Sequence, residues 1–465
     1  MKWVARPERT MLNIGFLNEL LNTIAHQGRS LVDRARGLAG DSGRIETMPL
    51  ADLAALLLSA RGEASGVVIA REIVARYPRL EPAERRAFLL ALNNAFAAAP
   101  EEIRAAFSAY DSEPSARNHA RLLAAVEPPR QEVIRRLNLA PGNTGGLVRM
   151  RADLLDTLSA HPELAALDND FRHLFSSWFN RGFLVLRRID WSSPAQILEK
   201  IIRYEAVHAI ESWDDLRRRI EPADRRCYAF FHPALIDEPL IFVEVALMTE
   251  RPAAIEPILA EKRDILSGDQ ATTAVFYSIS NCQKGLAGIS FGNFLIKQVV
   301  EDLRRDIPTL DTFVTLSPVP GFRKWVEAQC ADRASPFVND ADRAVLATLD
   351  GEENDPEDME GASRVLSPLL ARYFLEARTS SGRVIDPVAR FHLGNGARLE
   401  RLNLFADFSA KGWRDSYAAM VNYLYDLKSI EENHERFATH GEVVASAAVG
   451  RALGARRLHK ADATP

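Results

Sequence analysis

A short glycine-rich segment, Gly288-Ile289-Ser290-Phe291-Gly292, is the first candidate for chemistry in this sequence. It follows an apolar run, Ala274–Ser280, and precedes a segment with helical periodicity. A strand, a glycine turn and a helix in this order can present a serine nucleophile, as in the nucleophile elbow of α/β-hydrolases. The same order can instead offer backbone N–H groups to a phosphate at a helix N-terminus.

The spacing of the segment favours phosphate binding over the elbow. An elbow requires the strand to run directly into the turn that carries the serine. Here the residues NCQKGLAG separate Ser280 from the centre of the motif, and they include Gly285, Ala287 and Gly288. Small residues at these positions suit a backbone that wraps around an anion, and the dipole of a helix over Phe291–Asp306 would favour negative charge there.

The composition of the chain argues against several classes of function. The 465 residues are 47% hydrophobic and 26% charged, with a formal net charge of −5, so no basic field points to a nucleic-acid partner. No apolar run approaches the ~20 residues that span a bilayer, and charges interrupt the N-terminal segment, so we expect neither membrane association nor a signal peptide. The three cysteines are far apart in the sequence, which predicts no disulfide framework and favours a cytoplasmic location.

About the first 175 residues have the periodicity of amphipathic helices. Two such runs in Ala51–Leu80 meet at a break over Gly62–Gly66, and Pro82 and Pro100 delimit the next run. Clusters of polar side chains that could do chemistry are missing from this sequence segment. We therefore predict a helical packing or oligomerisation domain, with a regulatory or partner-binding role as the alternative.

The pattern changes near Trp178, where strands begin to alternate with helices. Strand-like patterns occur in Arg181–Trp191, Ala274–Ser280 and Leu310–Phe322. Arg225–Met248 is predicted to form two strands joined by a turn around Asp237-Glu238-Pro239. We therefore predict a helical domain over residues 1–178 and a domain of α/β or α+β class over residues 179–465.

The last part of the chain gives three further predictions. Val345–Arg378 is predicted to be helical around an acidic loop, Asp350–Gly361. Ser416–Ala438 is predicted to be one helix, which would place Tyr425 on a helix. The tail after Leu453 is expected to be frayed.

Five sequence blocks carry a more specific resemblance. In chain order they are AVFYSIS, QKGLAGISFGNFLIKQVV, FVTLSPVPGFRKW, DPVARFHLGNGARLERLN and MVNYLYDL. Together, from about Trp178 to Leu427, they resemble the malonyl-CoA decarboxylase family. The resemblance implies an α+β chain, in which an all-helical oligomerisation domain precedes an acetyltransferase-like mixed α/β catalytic domain. It also implies conversion of malonyl-CoA to acetyl-CoA and carbon dioxide without a metal or organic cofactor, CoA being part of the substrate.

The resemblance also implies the site residues. The serine of the TLSPVPGF block falls on Ser317, the histidine of RFHLGNG on His392 and the closing tyrosine of NYLY on Tyr425. The CoA-binding loop falls on Ala287, Gly288, Ile289, Ser290, Phe291, Gly292 and Asn293. Decarboxylation gives an enolate that needs fixed donors for its oxyanion and a proton for its carbon, and a histidine is suited to deliver that proton.

Two other functions fit the same loop. One is an acyl-CoA-dependent acyltransferase, which would need a pocket for an acceptor amine. The other is a non-catalytic acyl-CoA-binding regulator. The remaining histidines, among them His208 and His232, lack the spacing of metal ligands, so we predict no metal site. A homo-oligomer, with a tetramer as one form, is expected by resemblance.

Overall fold

The computed structural model describes residues 42–60, 62–289, 295–349 and 356–454. The chain forms two compact units. Among the described residues, the first comprises those up to Phe183 together with two short later segments, His232–Ile236 and residues 283–289. The second comprises Leu184–Phe231, Asp237–Cys282 and the described residues from Leu295 onward. Because the first unit takes in two short segments from later in the sequence, the contiguous limits 1–178 and 179–465 stay a prediction.

The described residues of the first unit form helices joined by loops, with no strand among them. Its α-helices are α1 (Ser42–Thr47), α2 (Leu50–Ser59), α3 (Glu63–Arg76), α4 (Pro82–Ala95), α5 (Pro100–Ser112), α6 (Ala116–Val126), α7 (Pro129–Asn138), α8 (Asn143–Thr157) and α9 (Ala165–Trp178). Proline stands at the first position of α4, α5 and α7, where its missing N–H costs no helical hydrogen bond. In α4 the side chain of Glu84 also accepts a hydrogen bond from the Glu81 N–H, which closes a capping box.

The second unit is built on one mixed sheet. Its strands are β1 (Val185–Ile189), β2 (Arg225–Phe231), β3 (Pro239–Met248), β4 (Thr273–Asn281), β5 (Thr312–Thr315), β6 (Ser317–Pro318), β7 (Arg398–Asn403) and β8 (Met420–Leu424). The order is β1-β2-β3-β4-β5-β8-β6, and β7 pairs with β8. Neighbours are antiparallel except β4 and β5, which run parallel from Thr273↔Thr312 to Phe276↔Thr315. Beyond this point β4 continues to Asn281 beside β3 alone.

Helices of the second unit lie between these strands in the sequence. They are α10 (Ala195–Tyr204), α11 (Trp213–Ile220), α12 (Glu256–Leu259), α13 (Leu295–Asp306), α14 (Phe322–Ala331), α15 (Asp340–Thr348), α16 (Pro356–Leu375), α17 (Pro387–Gly394), α18 (Ala410–Ser416), α19 (Ile430–His440) and α20 (Ala447–Ala452). One apolar cluster packs α10 and α11 against β2, and it includes Ile197, Ile201, Leu216 and Ala229. The predicted organisation, a helical N-terminal region followed by a mixed α/β unit, is confirmed.

The prediction of one helix over Ser416–Ala438 is wrong. The segment forms β8 over Met420–Leu424 and a separate helix, α19, from Ile430. β8 lies between β5 and β6 in the order of the sheet and also pairs with β7, and its residues from Met420 to Tyr423 are all buried. A strand buried on both faces has a continuous apolar run rather than an alternation, and such a run resembles a buried helix.

Two further predictions concern segments that lie partly or wholly outside the described residues. Part of the predicted acidic loop is helical, because α16 begins at Pro356, whereas residues 350–355 lie outside the described part. The tail from residue 455 also lies outside it. Within the described part, no helix combines the length and the apolar character needed to cross a membrane.

Candidate active site

Ser317 and His392 are brought together in the sheet unit. The Ser317 Oγ lies 3.1 Å from the His392 Nε2, although 75 residues separate them in the sequence. Both side chains are buried. A hydroxyl and an imidazole at this distance form a hydrogen bond, and the pair can pass a proton between them.

Tyr425 completes a chain of three side chains. Its hydroxyl lies 2.7 Å from the His392 Nδ1, on the opposite side of the ring from Ser317. The Ser317 hydroxyl donates to the Thr315 Oγ1 at 2.9 Å. With that proton engaged, Ser317 accepts from an Nε2–H, and the imidazole Nδ1 accepts from the Tyr425 hydroxyl. Both ring nitrogens of His392 are therefore satisfied, and the ring orientation is fixed.

Residues of β5 and β8 fix the position of Ser317. Thr315 ends β5, and its Oγ1 also accepts the backbone N–H of Tyr423 at 3.1 Å. Its carbonyl accepts the side-chain amide of Asn422 at 2.7 Å. Ser317 itself pairs with Val421 across the sheet. The serine hydroxyl thus stands at the end of β5, just beyond the last residue of β5 that pairs with β4.

A short helix positions His392. Asp386 caps α17, because its Oδ1 accepts the Ala389 N–H at 2.6 Å, and Pro387 occupies the first helical position. The other carboxylate oxygen of Asp386 accepts a hydrogen bond of 3.4 Å from the Tyr373 hydroxyl. Burial raises the pKa of Asp386 to about 7. The histidine therefore lies in the last turn of a helix whose start is fixed by a buried carboxyl group.

Burial also sets the protonation of the side chains that could react. It lowers the pKa of His392 to about 3, because a positive charge would lose its hydration there. It raises the pKa of the Tyr425 hydroxyl well above its ordinary value for the corresponding reason. At neutral pH the chain of Ser317, His392 and Tyr425 is thus electrically neutral in the ligand-free protein.

Thr315 and Tyr423 belong to this site, and sequence reasoning missed them both. The Tyr423 ring stacks on the imidazole of His392 with a centroid separation of 4.5 Å and an interplanar angle of 23°. Tyr423 and Tyr425 are two residues apart on an extended segment, which places them on the same face. The alternation in NYLY could have indicated this, had the segment not been interpreted as a helix.

The glycine loop is described only in part. Ala287, Gly288 and Ile289 belong to the helical unit, whereas Ser290, Phe291, Gly292 and Asn293 lie outside the described residues. Lys284–Leu286 form one turn of 3₁₀ helix. The N–H groups of Ala287 and Ile289 donate to the carbonyls of Lys284 and Leu286, at 2.9 and 3.0 Å. The Gly288 N–H has no acceptor within the described residues. Among the amides of Ala287, Gly288 and Ile289 it is therefore the one that could donate a hydrogen bond to a phosphate.

In the part of the chain that the structure describes, no group of three His, Cys, Asp or Glu side chains is placed to hold a metal ion. The expectation of a site without a metal or organic cofactor stays a prediction. His208 and His232 are buried, and burial lowers the pKa of both.

Both parts of the chain match family models. Residues 96–179 match the model described as the malonyl-CoA decarboxylase N-terminal domain, and residues 182–463 match that of the C-terminal domain. The chain belongs to the malonyl-CoA decarboxylase family. The expected family is thereby confirmed.

Relatives in the malonyl-CoA decarboxylase family align with this chain over most of their length. A mitochondrial malonyl-CoA decarboxylase of Anser anser anser is 34% identical over 410 residues, which are 81% of each chain. The crystal structure of malonyl-CoA decarboxylase from Rhodopseudomonas palustris is 54% identical with a TM-score of 0.84, and covers 86% of this chain and 98% of its own. The structure from Agrobacterium vitis is 56% identical with a TM-score of 0.83, covering 88% and 100%.

Proposed function

We propose that this protein decarboxylates malonyl-CoA to acetyl-CoA and carbon dioxide, as a carbon–carbon lyase. The observation that carries the proposal is the buried contact of Ser317, His392 and Tyr425 in a member of this family. These are the residues onto which the family's functional blocks fall. Their neutral, hydrogen-bonded arrangement suits a reaction that needs one proton and no fixed charge.

In the proposed reaction the bond between the malonyl carboxylate and the α-carbon breaks. Its electron pair moves into the thioester carbonyl to give an enolate, and carbon dioxide leaves. Ser317 turns its hydroxyl proton from Thr315 to the malonyl carboxylate, and this negative charge beside the imidazole raises the pKa of His392 from its ligand-free value. The imidazole takes up one proton from the buffered solvent, delivers it to the enolate carbon to give acetyl-CoA, and so returns to its neutral form.

Incubation of the purified protein with malonyl-CoA, without any acceptor, tests this function. We expect stoichiometric acetyl-CoA and carbon dioxide, with solvent deuterium in the acetyl methyl group. Turnover that depends on an added amine would instead indicate an acyltransferase. Binding of acyl-CoA without turnover would indicate a non-catalytic regulator.

We also propose that the protein works as a homo-oligomer in the cytoplasm. The described part of the chain buries no residue of helix α6, and Leu123 and Val126 are exposed on it, as is Phe107 on the neighbouring α5. Cys227 and Cys282 are free and buried, which suits a reducing compartment. Light scattering at micromolar concentration tests the assembly, and a monomer alone would contradict it. Imaging of the tagged protein tests the location.

A further inference from the structure

Arg151 in the helical unit makes two contacts with the glycine loop. This residue of α8 is 1% exposed. Its Nη1 donates to the carbonyl of Gly285 at 2.7 Å and to that of Ala287 at 3.0 Å. Its Nε donates to the Asp168 Oδ1 on α9 at 2.8 Å, which holds the guanidinium in place. A buried cation on a helix that is distant in the sequence therefore contacts the backbone of the loop.

The backbone of the loop lies directly against α8. A Cβ added to Gly285 would lie 1.8 Å from the carbonyl oxygen of Val148 and 2.7 Å from its carbonyl carbon. Only glycine allows a backbone to approach another backbone this closely. Leu286, the next residue, is buried. Contact with α8 thus fixes the position of the turn, and Arg151 fixes the direction of its carbonyls.

The direction of one carbonyl determines that of the next N–H. A peptide unit is planar and trans, so the carbonyl of Ala287 and the N–H of Gly288 point in opposite directions. Because Arg151 holds this carbonyl, it also aims the Gly288 N–H away from α8. Gly288 has a φ of +74°, and the Arg172 Nε and Nη2 lie 3.9 Å from the position that a Cβ on this glycine would take. A second cation therefore lies near the glycine whose amide we assign to the phosphate.

We propose that Arg151 is a positioning residue for CoA binding. Its guanidinium, oriented by Asp168, holds the carbonyls of Gly285 and Ala287 and so presents the Gly288 N–H to a CoA phosphate. The inference rests on the proposed function, and it extends the role of the helical unit from assembly to substrate affinity. Arg151 touches no reacting atom, so its loss should act on binding rather than on the chemical step.

A buried arginine–aspartate pair can also serve stability alone, and the same unit offers a matched control. Arg130 on α7 is 9% exposed and pairs with Asp170. Its Nη1 donates to the carbonyl of Asn93 at 3.1 Å. Arg130 therefore resembles Arg151 in burial and charge partner, but its carbonyl contact is with α4 instead of the glycine loop.

The test compares Arg151→Met with Arg130→Met in the full-length protein. Calorimetric titration with CoA gives a Kd, malonyl-CoA turnover gives kcat and KM, and thermal unfolding reports stability. For Arg151→Met we expect the Kd for CoA and the KM to rise about 10- to 100-fold, the span for losing hydrogen bonds to a charged group, with kcat nearly unchanged. For Arg130→Met we expect a similar loss of stability with the Kd and KM of the wild type.

Two more variants keep the inference testable if Arg151→Met does not fold. Arg151→Lys retains a cation but lacks the planar fork, so it should recover part of the CoA affinity. Gly285→Ala leaves Arg151 intact and displaces the loop from α8, so it should also raise the Kd and KM. Equal effects of the Arg151 and Arg130 variants on KM, or a fall in kcat with unchanged CoA affinity, would overturn the inference. A wild type that binds CoA without decarboxylating malonyl-CoA would overturn the proposed function alone.

Discussion

Two buried polar clusters, one in each unit, are of opposite kinds. In the helical unit, Arg151 and Asp168 form an ion pair whose remaining hydrogen bonds go to backbone carbonyls. In the sheet unit, His392 lies between the hydroxyls of Ser317 and Tyr425, and burial keeps the imidazole neutral. A guanidinium that stays charged is suited to hold a backbone in one conformation. An imidazole that can change its protonation is suited to chemistry.

Replacing the histidine should give the largest effect. His392→Asn removes the proposed proton donor, so kcat should fall roughly 10²–10⁴-fold, the usual range for losing a general acid. The Kd for CoA should stay near that of the wild type, because the loop is held by Arg151. Single-turnover assays and calorimetry measure the two quantities. Near-normal turnover would remove His392 from the mechanism and leave Tyr425 or a bound water as the donor.

Ser317→Ala should give the second-largest loss of turnover. It removes a hydroxyl that contacts the imidazole, which should raise the activation free energy by about 1–3 kcal/mol and so lower kcat. In the double variant with His392→Asn the two losses should not add, since the side chains act as one unit. Thr315→Val serves as a control that removes the supporting hydroxyl and leaves Ser317 in place. Fully additive losses would show that Ser317 and His392 work independently.

The pH dependence of stability distinguishes the neutral cluster from the charged one. The pKa of His392 falls from 6.5 to about 3 on folding, so between these values the unfolded chain binds a proton that the folded protein does not. Stability should therefore be lost as the pH falls below 6.5. Urea unfolding should show wild-type protein losing between about 1 and 2 kcal/mol more than His392→Asn between pH 6.5 and pH 5. Parallel curves for the two proteins would contradict the neutral imidazole.

Removal of the Tyr425 hydroxyl should lower turnover more than removal of the Tyr423 hydroxyl. Tyr425→Phe removes the hydroxyl that contacts Nδ1, so kcat should fall about 2- to 10-fold, as expected for one neutral hydrogen bond. Tyr423→Phe keeps the ring that stacks on His392 and removes a hydroxyl with no partner among the described residues, so turnover should hardly change. Steady-state kinetics of the pair provide the test. A larger loss from Tyr423→Phe would assign the Tyr423 hydroxyl to the reaction.

Replacement of Ser290 should have the smallest effect on turnover. If the loop binds phosphate through its backbone, Ser290→Ala should leave turnover within several-fold of the wild type. Mass spectrometry after incubation with malonyl-CoA should find no acyl group on Ser290. A covalent adduct, or complete loss of activity, would restore the nucleophile elbow.

The sequence predicted the members of the His392 cluster better than their surroundings. Ser317, His392 and Tyr425 lie in separate blocks, and the family resemblance named all three before the fold brought them together. Their roles in catalysis stay predictions. Thr315 and Tyr423 were missed because each is an ordinary strand residue, and its contact with the site depends on the register of β5, β6 and β8.

The contact of the glycine loop with α8 could not be predicted for a related reason. Periodicity reports which face of a helix is buried, but not what covers that face. Arg151 looked like one of many charged residues on an amphipathic helix, and its acceptors lie 134 and 136 residues further along the chain. A glycine in a loop likewise gives no indication of the backbone that it approaches.

This sequence separation has a consequence for folding during synthesis. At a ribosomal rate of about 5–20 residues per second, Gly285 emerges roughly 7–27 s after Arg151. During that interval the carbonyl acceptors of the buried guanidinium do not yet exist, although Asp168 follows Arg151 by only 17 residues. The nascent helical unit can therefore close its ion pair early, but it reaches its final structure only after strands β1 to β4 have been translated. We expect its amide protons around α8 to gain full protection late, in step with β4.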